Sequence, residues 1–247
     1  MSMRIAVVSD VHDNVAAFEA VVADLGQVGA DLVVHGGDLV GTGSRPPDVI
    51  DRIRALGWPG VYGNADEMLW RPERLAEVLA APQFERMRDM LLTQVIPASL
   101  DAIGRDRLAW LRALPIRWSS GDVTVVHAGP DDAWRSPAAN ASDEELARVY
   151  GGLGTRVVVY GHIHVSFVRR LPSLTIANSG SVSMSYDGDP RAAYAVIDDG
   201  QVTIRRVEYD VEKEIARLKA TPYPEADWMA EIFRQARYVP MPDRQRV

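Results

Sequence analysis

Ile5-Ala6-Val7-Val8-Ser9-Asp10-Val11-His12-Asp13-Asn14 is the stretch from which the fold can be read. Its first four residues are apolar without interruption. They read as a strand buried on both faces, because a half-exposed strand would alternate apolar with polar residues. The polar residues that follow, Asp10, His12 and Asn14, fall at the C-terminal end of that strand, where open α/β sheets place their sites. Asn14 can cap a helix whose Val15, Phe18, Val21, Val22 and Leu25 recur at helical spacing, closed by Gly26 and Gly29. A second apolar run at residues 32–34 completes a strand-helix-strand unit.

Outward from this unit the same signature returns at residues 123–126 and 157–160. A second helix is expected from Pro46 and Pro47, with Val49, Ile50, Ile53 and Leu56 on one face and a stop at Gly57. Residues 68–114 are rich in Arg, Glu, Met and Leu and lack a β-branched run, so they read as a helical insertion in a single domain spanning 1–247. Residues 193–197 and 202–207 flank Asp198-Asp199-Gly200-Gln201, a turn signal for an antiparallel hairpin, which makes the sheet system mixed. Residues 211–218 look helical, and the tail beyond Tyr238 offers little to bury.

Composition narrows the chemistry. A chain of 247 residues with 47% hydrophobic content can bury a full core. The absence of Cys excludes disulfides, thiolate metal sites and thiol nucleophiles, so any metal is held by oxygen and nitrogen. With 34 acidic against 27 basic side chains, the net charge of -7 disfavours nucleic acid as a partner. No stretch reaches the roughly 18 apolar residues of a membrane span, and neither a basic leader nor a cleavage site precedes Ile5, so the expected compartment is the cytoplasm and no membrane partner is expected.

Five apolar runs end in ligand-type residues. They are Asp10-Val11-His12; Gly37-Asp38; Gly63-Asn64-Ala65-Asp66, after the short run Val61-Tyr62; His127-Ala128-Gly129; and Gly161-His162-Ile163-His164. Taken singly, each has a bland reading as a turn or a helix cap. His-x-His says more, because in extended chain the two rings share a face. The combination says most: of five His in the chain, His12, His127, His162 and His164 stand at run ends beside Asp10, Asp38 and Asn64.

In that order the five motifs resemble those of the calcineurin-like metallophosphoesterases. Asn178-Ser179-Gly180-Ser181-Val182 and Asp187-Gly188-Asp189-Pro190-Arg191-Ala192 are similar to segments of that superfamily's small bacterial and archaeal phosphodiesterase branch. The resemblance implies an α/β fold, a four-layer α-β-β-α sandwich with two mixed β-sheets packed face to face and helices outside. It implies two divalent transition-metal ions, manganese first, with iron, zinc, nickel or cobalt also suited to the donors. Asp10, His12 and His164 would hold one ion, Asn64, His127 and His162 the other, and Asp38 would bridge them. Asp38 and Asn64 would also serve catalysis, in which a metal-bridging hydroxide attacks phosphorus. Asn14 is a candidate for binding substrate, with a plain helix cap as its alternative.

The expected substrate is a small phosphodiester; a phosphomonoesterase or nuclease on the same site, or a non-catalytic interaction scaffold, are the alternatives. One departure bears on this choice. The best-known members have His after the motif Asn, where it can protonate the leaving group, and this chain has Ala65. His35 is either a buried structural residue or a substitute acid. Trp70 and Trp134, with Arg71 and Arg135 beside them, are candidates for stacking on a base and clamping a second phosphate.

Overall fold

The computed structural model describes residues 3–41 and 45–242. The first half of the chain forms β1 (Ile5–Val8), α1 (Val15–Val28), β2 (Leu32–His35), α2 (Pro46–Leu56), α3 (Asn64–Glu67), α4 (Pro72–Val78), α5 (Glu85–Met90) and α6 (Ile96–Ala113). There follow β3 (Arg117–Ser120), β4 (Val123–Val126), α7 (Asp143–Tyr150), β5 (Val157–Tyr160), β6 (Phe167–Arg170) and β7 (Thr175–Asn178). The chain continues through β8 (Ala192–Asp198), β9 (Gln201–Val207), α8 (Val211–Lys219) and α9 (Ala226–Gln235).

Two mixed sheets result. One has the order β2-β1-β8-β9, with only β1 and β2 parallel; the other has the order β3-β4-β5-β7-β6, with β4, β5 and β7 parallel. Alternation along the strands shows why both faces had to be apolar. Ile5 and Val7 of β1 cluster with Val125, Val157 and Val159 of the opposite sheet, while Ala6 and Val8 cluster with Phe18 and Val21 of α1. Val126, Val158 and Tyr160 turn the other way, onto Leu146 and Tyr150 of α7. The layers are therefore helix, sheet, sheet, helix, as expected.

Local signals explain the individual elements. The Asn14 side chain accepts from the Ala17 N–H at 2.9 Å and starts α1, and Gly29 ends it at φ 65°. Asp199 and Gly200, at φ 47° and 73°, make the tight turn between β8 and β9. Residues 68–114 are helical, with a π turn at Leu91–Val95 and a break in α6 at Gly104, whose φ of 68° leaves the helix. The short run Val61-Tyr62 forms no strand: a bridge between His35 and Gly60 stands beside it, and Tyr62 donates its N–H to the Pro115 carbonyl. Among the described residues no helix is long and apolar enough to cross a membrane.

Candidate metal centre

The C-terminal ends of β1, β2, β4 and β5 meet at one rim, and the loops leaving them continue to pair. Asp10, His12 and Asp13 donate their N–H groups to the carbonyls of Gly37, Asp38 and Leu39, each at 3.0 Å. Loops brought this close need bare backbone between them. A Cβ on Gly63 would strike the Asp38 carboxylate, and one on Gly161 would strike that of Asp10.

The backbone at the clustered residues is strained. Asp10, His12, Asp38, His162 and His164 have φ of 58°, 45°, 51°, 67° and 56°. Left-handed backbone costs a non-glycine residue about 1–2 kcal/mol and persists where the surroundings impose it. The restraint here is visible: Ser181 Oγ donates to the Asp10 carbonyl at 2.9 Å, and the Asp10 carboxylate accepts from the His162 N–H at 3.1 Å. This corrects the reading of His162-Ile163-His164 as extended chain. The two rings part: His164 joins Asp10 and His12, whereas His162 joins Asn64 and His127.

All seven predicted residues come together. His164 Nε2 lies 3.1 Å from Asp10 Oδ1 and 3.3 Å from His12 Nε2. On the other side, Asn64 Oδ1 lies 2.9 Å from His127 Nε2 and 2.7 Å from His162 Nδ1. Asp38 stands between, with Oδ2 at 3.6 Å from His12 Nε2 and Oδ1 at 3.4 Å from His127 Nε2. Ligand atoms of Asp10, His12 and His164 lie within 4.8 Å of one another, as do those of Asp10, Asp38 and His127, so Asp10 reaches into both groups.

The donor chemistry fits divalent cations. Backbone carbonyls face the outer nitrogen of three rings: His127 Nδ1 with Gly36 O at 2.9 Å, His164 Nδ1 with Met184 O at 2.6 Å and His12 Nδ1 with Val40 O at 3.3 Å. A proton held at each Nδ1 leaves the Nε2 lone pair pointing inward, the arrangement in which imidazole binds metal. With its proton so placed, His127 meets the Asn64 oxygen lone pair to lone pair. Burial, and then the neighbouring His164, push His12 down to about 3; burial, and then His127, do the same to His162. Burial, followed by the nearby Asp10, pushes the Asp38 carboxyl up. Imidazoles around crowded carboxylates form a cage that a cation would relieve.

Other residues declare themselves. Asp66 accepts from the N–H groups of Leu39 at 2.9 Å, Val40 at 3.3 Å and Gly63 at 2.9 Å, tying the loop after β2 to α3. Glu67 is buried and accepts from Trp134 Nε1 at 2.6 Å and Arg71 Nη1 at 2.8 Å. These contacts give Trp134 and Arg71 structural partners; Trp70 packs edge-on against Tyr62, and Arg135 is exposed. None of these four lines the cavity over the centre, whose aromatic wall includes Trp228 instead. Asn14 is fully buried, with its oxygen on Ala17 and its Nδ2 3.3 Å from Ser183 Oγ, and it does not line the cavity either. His35 is fully buried near Trp110, and burial pushes it down to about 4, with the Val61 backbone opposing less strongly. It is a neutral core residue rather than an acid at the centre. Tyr186, which from sequence shares the ambiguity of His35 between a structural residue and a substitute acid, is stacked on His164 at 4.7 Å and lines the cavity.

The chain is similar to known proteins over nearly its whole length. Over 250 residues the chain is 27% identical to an uncharacterized protein, MJ0912, of Methanocaldococcus jannaschii, covering 92% of this chain and 96% of the other. It is 31% identical over 154 residues to a symmetrical bis(5'-nucleosyl)-tetraphosphatase of Aromatoleum aromaticum, covering 61% of this chain and 53% of that one. A metallophosphoesterase from Sphaerobacter thermophilus superposes with a TM-score of 0.77 at 28% identity, covering 96% of this chain and all of the other. Residues 3–200, which include all seven residues of the cluster, match the family model of the calcineurin-like phosphoesterase superfamily domain, and the chain belongs to that superfamily.

Proposed function

We propose that the chain is a phosphodiesterase acting on a small phosphodiester at a dinuclear centre, with manganese as the first choice of ion and the cytoplasm as its place of work. The observation that carries this reading is Asp38, whose Oδ2 faces His12 and whose Oδ1 faces His127, one histidine from each side of the cluster. Divalent ions held there would supply Lewis acidity, acidifying a water and drawing charge from the phosphate oxygens. Asp10, His12 and His164 would bind on one side, Asn64, His127 and His162 on the other. Asp10 and Asp38 contribute the anionic charge of the set. Against two divalent ions this leaves an excess of positive charge that attracts phosphate in spite of the acidic chain. Asn64 orients its oxygen into the cluster from the first turn of α3.

At position 65 the side chain is a methyl group, and the Ala65 N–H is engaged with Asp38 Oδ1 at 2.7 Å. Nothing at this position can protonate a leaving oxygen. The loss of such a group costs on the order of 100- to 10,000-fold with a poor leaving group and far less with an acidic one. The test is hydrolysis of bis-p-nitrophenyl phosphate and p-nitrophenyl phosphate by metal-stripped protein refilled with manganese. The diester is expected to turn over faster than the monoester, and Asp38→Asn to lower its rate by at least about 100-fold. A faster monoester, or diester turnover indifferent to metal, would contradict the reading.

A further inference from the structure

The cavity over the centre measures about 230 Å³, and its wall differs from its floor. His12, Asp38, Asn64, His162 and His164 form the floor. The wall carries Met68, Met87, Met90, Met184 and Met229, together with Trp228. These side chains arrive from separate places: Met68 follows α3, Met87 and Met90 belong to α5, Met184 lies beyond β7, and Trp228 and Met229 sit on α9. The chain has eight Met in all, so five on one cavity is a concentration rather than a reflection of composition. Among the described residues no Lys or Arg lines this cavity, although the chain has 27 of them.

This wall can accept one kind of chemistry well and another badly. Tyr186, Tyr223 and Tyr238 also line the cavity, so an anionic arm buried against the wall would exchange its hydration for thioethers, rings and at most a tyrosine hydroxyl, with no cation to pair it. An aromatic arm would meet thioethers, whose sulfur favours ring edges and whose unbranched chain adapts to shape, and the ring of Trp228. We propose that the cavity binds the uncharged, aromatic ester arm of the substrate, so that the substrate class is a compact phosphodiester with a single charge at phosphorus and not a polyphosphate. The name of the tetraphosphatase to which the chain is 31% identical points to a polyphosphate substrate for that protein, and this wall separates the two. The inference relies on the phosphodiesterase reading for what lies on the floor; the chemistry of the wall stands apart from it.

Binding tests the wall without requiring turnover. The manganese-loaded full chain is titrated calorimetrically with phenylphosphonate, methylphosphonate and 2-carboxyethylphosphonate. Phenylphosphonate is expected to bind at least about tenfold more tightly than methylphosphonate, and the carboxyethyl compound no more tightly than methyl. Met87→Gln and Met229→Gln preserve approximate shape while making the wall polar. Each is expected to cut the phenyl advantage to less than about threefold and to leave methylphosphonate binding unchanged. Equal affinity for phenyl and methyl, an advantage that survives both substitutions, or no binding of any phosphonate would overturn the inference. Diester hydrolysis with the Asp38→Asn control runs alongside. Phenyl preference without turnover would count against the hydrolase reading alone, and turnover without preference against the wall alone.

Discussion

Asn14 is a residue for which two roles compete over one side chain. Its oxygen caps α1 and its amide nitrogen approaches Ser183, so both ends are occupied inside the protein. Asn14→Ala is expected to lower stability by about 1–2 kcal/mol in denaturant unfolding, and Asn14→Ser, which keeps a capping oxygen, to recover most of that. Both variants should hydrolyse the diester within about threefold of the parent. A loss of about a hundredfold in Asn14→Ser with its stability intact would instead make Asn14 a substrate contact. The identities of the cluster's residues were legible in the sequence, because Asp, Asn and His at run ends are unusual company. Their backbone was not: nothing in Gly161-His162-Ile163-His164 announces two left-handed histidines, since only the packing of the opposite loops imposes them. His35 was legible only as a pair of alternatives, which its burial near Trp110 decides.

Among the described elements, α3 is a helix of only four residues, yet it is tied directly to the centre. It carries Asn64 at its start, and its Asp66 carboxylate gathers three backbone N–H groups from two loops. Asp66→Ala would strand those buried donors at a cost of about 3 kcal/mol, and loosening Asp38 and Asn64 together should weaken manganese binding by about 10- to 100-fold. Urea unfolding and metal titration of the variant check the two effects; affinity unchanged beside a lost 3 kcal/mol would confine Asp66 to stability. The strands β1, β4 and β5 could be read from sequence because they are buried on both faces and apolar without a break. β3 could not, since Arg117 and Ser119 face solvent and the strand lies at an edge. α7 escaped notice although Ser142 and Glu145 stand at capping distance, with the Ser142 oxygen accepting from Glu145 N–H at 3.2 Å. α9 escaped too, and with it one side of the cavity.

The whole molecule brings to one rim residues from Asp10 to His164, which no local signal could have done. Two mixed sheets turn their inner faces on each other, and strands of both end at the same edge, so the loops of one supply Asp10, His12 and Asp38 while those of the other supply His127, His162 and His164. The layer order was legible from buried runs and from the family resemblance. The methionine wall was not, because its members are scattered from Met68 to Met229 and meet only when α5 and α9 close over the rim. The hydrolytic function proposed for the protein depends on that rim holding two ions through a shared Asp38. Manganese titration of metal-stripped protein, read as bound ions per chain, tests this most directly. Two ions per parent chain, with one or none in Asp38→Ala at the same free manganese, is the result this account predicts. A parent chain that binds a single ion, or an Asp38→Ala variant that still binds two with unchanged affinity, would contradict it.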